Sequence, residues 1–276
     1  MDRIRLIASD MDATLLDEQS QLPADFEETI HALAELGIRF APASGRPLYT
    51  LEAMFPTLQD ELVFIGDNGG AIRWKGQNLF TSEMSPEGWR ALNRLTREQG
   101  DIAVLCGLES AYVERPFAVH DAVLRHFYTK IEYVDRLEDI TAPADKFTIY
   151  LPQHNAQQAY DTVYASQRSI YSVAVAGECW VDIMNPGVHK GAALQTLGQL
   201  WGLPSESIMA FGDTYNDAEM LQTVRYGFLM ENGSEPLRQK VPFLAPSHRE
   251  AGVMQVLHRV LAQNGCVRPE DFIPAH

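Results

Sequence analysis

The most constraining feature of this 276-residue chain is an alternation of strand-like and helix-like segments that breaks off near residue 82 and resumes after Pro186. Residues 4–9 form a short apolar run closed by Asp10, which reads as a buried strand. Residues 23–36 read as a helix: Phe26, Ile30, Leu33 and Ala34 recur at helical spacing, and Gly37 suits the position just past its end. Residues 38–43 give a second strand. Pro47 opens another helix, where its missing N–H costs nothing, and residues 62–65 give a third strand. Strands separated by helices predict a parallel sheet with helices on its faces.

Between residues 82 and 185 the pattern differs. Strand candidates at 102–105, 111–114, 147–151, 171–176 and 180–184 stand among helix candidates at 86–99, 118–128 and 156–167. Gly177-Glu178, between the last two strands, is a hairpin signal. Strands that succeed one another this way predict an antiparallel sheet and a separate α+β unit. After Pro186 come a helix at 190–201 stopped by Gly202, a strand at 208–211, a helix at 216–223 and a strand at 226–230. A last helix carries Val253, Val256, Leu257, Val260 and Leu261 on one face. The expected architecture is an α/β doubly wound parallel-sheet core made of residues 1–82 and 186–276, with an α+β domain of residues 83–185 inserted between its halves.

Composition narrows the function. The formal charge is −15, from 22 Lys and Arg against 37 Asp and Glu, which argues against nucleic acid or an anionic membrane as partner. An anionic substrate would need local compensation by a cation or by placed Lys and Arg. Cys106, Cys179 and Cys266 are far apart and form no CxxC or zinc spacing. No apolar run approaches the roughly 20 residues of a membrane span. The N-terminal residues lack the apolar region of a secretory leader, and a cytoplasmic location is expected.

In open α/β sheets ligands bind beyond the carboxyl ends of the strands. The residues just past each core strand are therefore informative. Asp10-Met11-Asp12-Ala13-Thr14 comes after the first strand, and Ser44-Gly45-Arg46 after the second. Lys190 opens the helix after the insertion, and Gly212-Asp213-Thr214-Tyr215-Asn216-Asp217 succeeds the strand at 208–211. Each segment alone has an ordinary reading as a turn or a helix cap. Together they deliver several carboxylates, a hydroxyl and a lysine to one sheet edge. Converging carboxylates repel unless a cation neutralises them, and an all-oxygen donor set suits Mg²⁺. A carboxylate at a strand end can attack phosphorus, and a second acid two residues on can protonate the leaving oxygen. The hydroxyl, the lysine and backbone N–H groups can bind the phosphoryl oxygens.

These segments resemble the motifs of the haloacid dehalogenase superfamily phosphatases, in particular the Cof-type group with a large inserted cap. The DxDxT motif is similar to Asp10-Met11-Asp12-Ala13-Thr14, the Ser/Thr motif to Ser44, the lysine motif to His189-Lys190-Gly191, and GDxxND to residues 212–217. Asp67-Asn68-Gly69-Gly70 resembles the Asn-Gly-Ala stretch after the third strand. The resemblance covers essentially the whole chain. It implies a Mg²⁺-dependent phosphatase of small-metabolite phosphomonoesters that works through an aspartyl-phosphate. Asp10 would be nucleophile and metal ligand. Asp12 would be the general acid/base, with its carbonyl on the metal. Thr14 would support the loop, Ser44 with Gly45 would bind the phosphoryl group, and Lys190 would neutralise it. Asp213 would complete the metal site. Asn216 and Asp217 would orient Lys190, the phosphate or metal-bound water.

Ala13 departs from the pattern, since most of the group carries Gly there. The cap would close over the site and choose the leaving group, with Glu178 of the hairpin above and Arg46 and Asn68 below as candidate substrate contacts. Tyr112, Tyr150, Tyr171 and Trp180 read as cap core. A phosphomutase of the same superfamily, or a phosphometabolite-binding protein without turnover, would use the same residues, as a monomer or a homodimer.

Overall fold

The structure, a computed structural model, describes residues 1–276. Along the chain, β1 (Leu6–Asp10), α1 (Phe26–Glu35), β2 (Arg39–Ala43), α2 (Leu48–Ala53) and β3 (Val63–Gly66) come first. A hairpin of β4 (Ala71–Trp74) and β5 (Gln77–Thr81) is next. Then come α3 (Pro86–Gln99), β6 (Ile102–Gly107), β7 (Ala111–Glu114), α4 (Asp121–Phe127), β8 (Ile131–Val134), β9 (Ala144–Tyr150), α5 (Ala156–Asp161), β10 (Ser172–Val175) and β11 (Trp180–Met184). The chain ends through α6 (Lys190–Trp201), β12 (Ile208–Gly212), α7 (Ala218–Thr223), β13 (Tyr226–Met230), β14 (Phe243–Ala245), α8 (Gly252–Ala262) and β15 (Ile273–Pro274).

The main sheet has nine strands in the order β15-β14-β13-β12-β1-β2-β3-β4-β5. Strands β14 to β3 run parallel, and β15, β4 and β5 add antiparallel edges. The parallel strands read as unbroken apolar runs because helices bury both faces. Phe26, Ile30 and Leu33 of α1 pack with Val253 and Leu257 of α8 on one face. Ala193, Leu194 and Leu197 of α6 pack with Met220 and Leu221 of α7 on the other. Burying each such large side chain stabilises the fold by about 1.5–3 kcal/mol.

The inserted segment builds a separate sheet in the order β10-β11-β9-β6-β7-β8. It is mixed rather than antiparallel throughout, because β7 and β8 pair parallel across the intervening helix. The helix expected at 156–167 stops at Asp161 and gives way to a short 3₁₀ turn over Ala165–Ser169. That expected at 118–128 begins as a 3₁₀ turn over Arg115–His120. Side chains alternate across the sheet. Phe147, Ile149, Val181 and Ile183 face the helix side and pack with Trp89 and Leu92 of α3. Thr148, Tyr150, Trp180 and Asp182 belong to the opposite face. No helix is long and apolar enough to cross a membrane.

Candidate active site

Strands β1 and β12 are neighbours at the point where the chain winds away in both directions, which is where such sheets hold ligands. Asp10 ends β1 and Asp213 lies just past β12, so this adjacency brings their carboxylates together. Asp10, Asp213 and Asp217 each offer an oxygen within 4.8 Å of the others. Lys190 enters from the first position of α6, wholly buried, and donates to Asp10 Oδ1 and to Asp217 Oδ1, the latter at 2.7 Å. The second oxygen of Asp217 accepts the backbone N–H groups of Asp213 at 3.0 Å and Thr214 at 3.2 Å. With both oxygens of Asp217 engaged, Asp10 and Asp213 are the carboxylates left to face a cation.

Close backbone packing makes this cluster possible. A Cβ on Gly212 would lie 2.4 Å from the Cβ of Asp217, and one on Gly191 would lie 2.7 Å from the backbone of Glu219. Glycine at these positions lets the loop after β12 fold onto its own strand and lets α6 approach α7, so that Lys190 reaches Asp217.

The electrostatics reflect burial of acids beside one another. Burial pushes Asp10 up to about 8; Lys190 pulls the other way, and Asp217 and Asp213 reinforce the rise. Burial and Asp217 push Asp213 up to about 6. Burial disfavours the charge of Lys190, but Asp10 and Asp217 outweigh it and hold the ammonium well above the usual lysine value. A site that resists ionisation of two adjacent acids has a deficit of positive charge, and an all-oxygen donor pair fits a hard divalent cation.

A cavity of about 470 Å³ opens over these residues. Of the residues singled out in the sequence, Asp10, Asp12, Ser44, Gly45, Arg46, Asn68, Asp213 and Asn216 line it. Thr14, Lys190 and Asp217 are buried behind it. Ala13 also lines it and has φ +56°, a left-handed conformation that Gly adopts more cheaply. Its carbonyl accepts from Asn232, 2.8 Å away, a loop contact absent from the sequence motifs. Arg46 grips both carboxylate oxygens of Asp12, so its guanidinium serves an acid of the site itself. Glu178 is not in the lining: its neighbour Gly177 is, while the Glu178 side chain is 83% exposed and meets His154 at 3.2 Å.

The inserted sheet supplies the opposite wall. Lys146, Thr148, Trp180 and Asp182 line the cavity from its outward face, together with Phe127 and Tyr128 at the end of α4. Trp180 is thus both packed, at 8% exposure, and part of the wall. The period-two pattern Trp180-Val181-Asp182-Ile183 is the sequence signal that separates these residues from the sheet's own core.

A carboxylate–lysine cluster at the switch point of a doubly wound sheet, faced by a second sheet from an insertion, defines a class of hydrolase. Residues 7–257 match the haloacid dehalogenase-like hydrolase family, and the chain belongs to it. It is 31% identical over 262 residues to the 5-amino-6-(5-phospho-D-ribitylamino)uracil phosphatase YbjI of Escherichia coli, covering 94% of this chain and 96% of that one. It is also 31% identical over 249 residues to the HMP-PP phosphatase of Cronobacter sakazakii, covering 87% and 89% of the two chains. Among solved structures, SMU.1108c from Streptococcus mutans superposes with a TM-score of 0.85 at 28% identity, covering 94% of this chain and 99% of that one.

Proposed function

We propose that this enzyme, a phosphatase of the haloacid dehalogenase superfamily, hydrolyses phosphomonoesters of small metabolites through a covalent phosphoryl group on Asp10. The observation that carries the reading is the wholly buried Lys190 between Asp10 and Asp217, directly behind Asp10 at the floor of a cavity whose far wall comes from the insertion. Such a floor binds a phosphoryl group next to a carboxylate nucleophile, and such a wall contacts whatever the phosphoryl group leaves. The relatives named as 5-amino-6-(5-phospho-D-ribitylamino)uracil phosphatase and HMP-PP phosphatase support that substrate class.

Asp10 and Asp213, with the backbone carbonyl of Asp12, would hold Mg²⁺, which when bound offsets the charge of the carboxylates and of the substrate. An oxygen of Asp10 attacks phosphorus as the bond to the leaving oxygen breaks, and Asp12 gives that oxygen a proton. Asp12 then takes a proton from water as the water attacks phosphorus. The bond between phosphorus and the Asp10 oxygen breaks, and inorganic phosphate and the free Asp10 carboxylate result. Lys190 and the Ser44 hydroxyl hold the phosphoryl oxygens throughout. The insertion acts as a cap that excludes water and selects the leaving group.

The test is release of phosphate from p-nitrophenyl phosphate with and without Mg²⁺, in the wild type and in Asp10→Ala. Turnover that requires Mg²⁺ and disappears in Asp10→Ala supports the reading, and turnover that survives in Asp10→Ala refutes it.

A further inference from the structure

A second buried charge cluster lies where the inserted sheet meets the core. Lys146 of β9 is 2% exposed, and its ammonium stands 3.0 Å from Asp67 and 3.7 Å from Asp182. Burial opposes its charge, but Asp182 and Asp67 outweigh that and keep it protonated. The pairing of β9 with β6 shifts register between Ala144 and Lys146, leaving Asp145 in an irregularity of the strand. Such irregularities re-aim side chains. Here Asp145 and Lys146, although consecutive, both reach the junction: Asp145 packs against Gly70 and Lys146 against Asp67.

Lys146 also donates to a core backbone atom, the carbonyl of Gly45, at 2.5 Å. The neighbouring carbonyls are tied as well: Ser44 C=O accepts from the Asn68 N–H and Arg46 C=O from the Asp67 N–H, each at 2.9 Å. Three consecutive carbonyls are thus fastened by groups outside the loop, and only the middle one is held from the insertion. The peptide unit that carries the Gly45 carbonyl also carries the Arg46 N–H, which donates to Ser44 Oγ at 3.1 Å. Once its oxygen accepts that bond, the hydroxyl has its own proton left to give. A cation on the carbonyl side of a peptide strengthens the N–H on the other side.

We infer that Lys146 is a positioning residue that acts through the Gly45–Arg46 peptide to aim the Ser44 hydroxyl at the phosphoryl group, so that the phosphate subsite is complete only when the inserted sheet is seated on the core. This rests on the phosphatase reading of the site. It makes Lys146 the physical link between the domain that selects the leaving group and the residue that binds what is transferred. Asp67, itself at φ +51°, anchors the link from the core side, and Asp182 anchors it from the insertion.

A double-mutant cycle between Lys146→Gln and Ser44→Ala tests this. Glutamine keeps much of the length of the side chain while removing the charge. kcat/KM for p-nitrophenyl phosphate and the affinity for inorganic phosphate, by calorimetry, are measured for all four proteins, alongside thermal midpoints. With Ser44 present, Lys146→Gln should lower both quantities on the order of tenfold, and with Ser44→Ala in place the further loss should be under about twofold. Asp67→Asn, which removes the anchor but keeps the lysine, should show a smaller loss with the same dependence on Ser44. A purely structural role would lower the thermal midpoint and reduce activity by the same factor in both backgrounds, and that result overturns the inference. So does wild-type affinity for phosphate in Lys146→Gln. A wild type that neither hydrolyses p-nitrophenyl phosphate nor binds phosphate overturns the inference and the function together, whereas turnover without coupling overturns the inference alone.

Discussion

The ammonium group of Lys190 stands 2.7 Å from the carboxylate of Asp217, with both side chains wholly buried. The same ammonium meets Asp10, so one cation holds an acid at the end of β1 and an acid at the start of α7 together in the protein interior. Removing one partner from such a cluster leaves uncompensated buried charge, which costs about 3–5 kcal/mol. Lys190→Met should lower the thermal midpoint on the order of 10 °C and abolish phosphate release. Calorimetry and the p-nitrophenyl phosphate assay check this, and a variant with wild-type stability and turnover would contradict the assigned geometry.

Ala13 at φ +56° carries a Cβ in a region of backbone space where it is crowded. Left-handed alanine costs roughly 1–2 kcal/mol, partly offset by the lower unfolded-state entropy of alanine relative to glycine. Ala13→Gly should therefore raise stability by about 0.5–1 kcal/mol in denaturant titrations and leave turnover equal or higher. A destabilised Ala13→Gly would mean that the methyl group makes a contact worth more than the strain.

Burial holds Asp213 at about 6 and Asp10 at about 8, both up from 3.8. Between 3.8 and those values the folded chain binds more protons than the unfolded chain, so metal-free stability falls as pH rises from about 4 to 8. A divalent cation favours the deprotonated acids, so its stabilising effect grows over the same window. Thermal midpoints with Mg²⁺ and with EDTA should differ more at about pH 8 than at about pH 5. An equal difference at both would exclude Asp10 and Asp213 as ligands.

Phe127 is half-buried at the cavity wall, its ring 5.0 Å from that of Trp180 in an edge-on arrangement. It belongs to the wall that the insertion supplies, where the proposed function puts the leaving group. Phe127→Ala should raise KM for an aryl phosphate several-fold and leave inhibition by inorganic phosphate unchanged, about 1 kcal/mol of lost aromatic contact. Equal weakening of both would place Phe127 in the fold of the wall rather than in substrate contact.

The frame of the fold is legible in the order of residues along the chain. Apolar runs bounded by Asp10, Ser44 and Asp213 mark buried parallel strands, because helices on both faces demand unbroken apolar strands, and the candidate site residues come at or directly after their ends. Locally the chain also announces its helix ends, as Gly202 does at φ +62°. The β4–β5 hairpin and the strands β14 and β15 are not legible in it, because strands of two to five residues are too short to carry a periodic signal. Which groups share a site across long separations depends on the packing of distant elements. The register of β9 sends Lys146 to Gly45, 101 residues away, and Asn232 reaches Ala13 across 219 residues. The same packing turns Glu178 out to solvent while its neighbour Gly177 stays in the wall. A strand's spacing limits a side chain to one of two faces. What lies opposite that face depends on how two sheets built from different parts of the chain pack against each other.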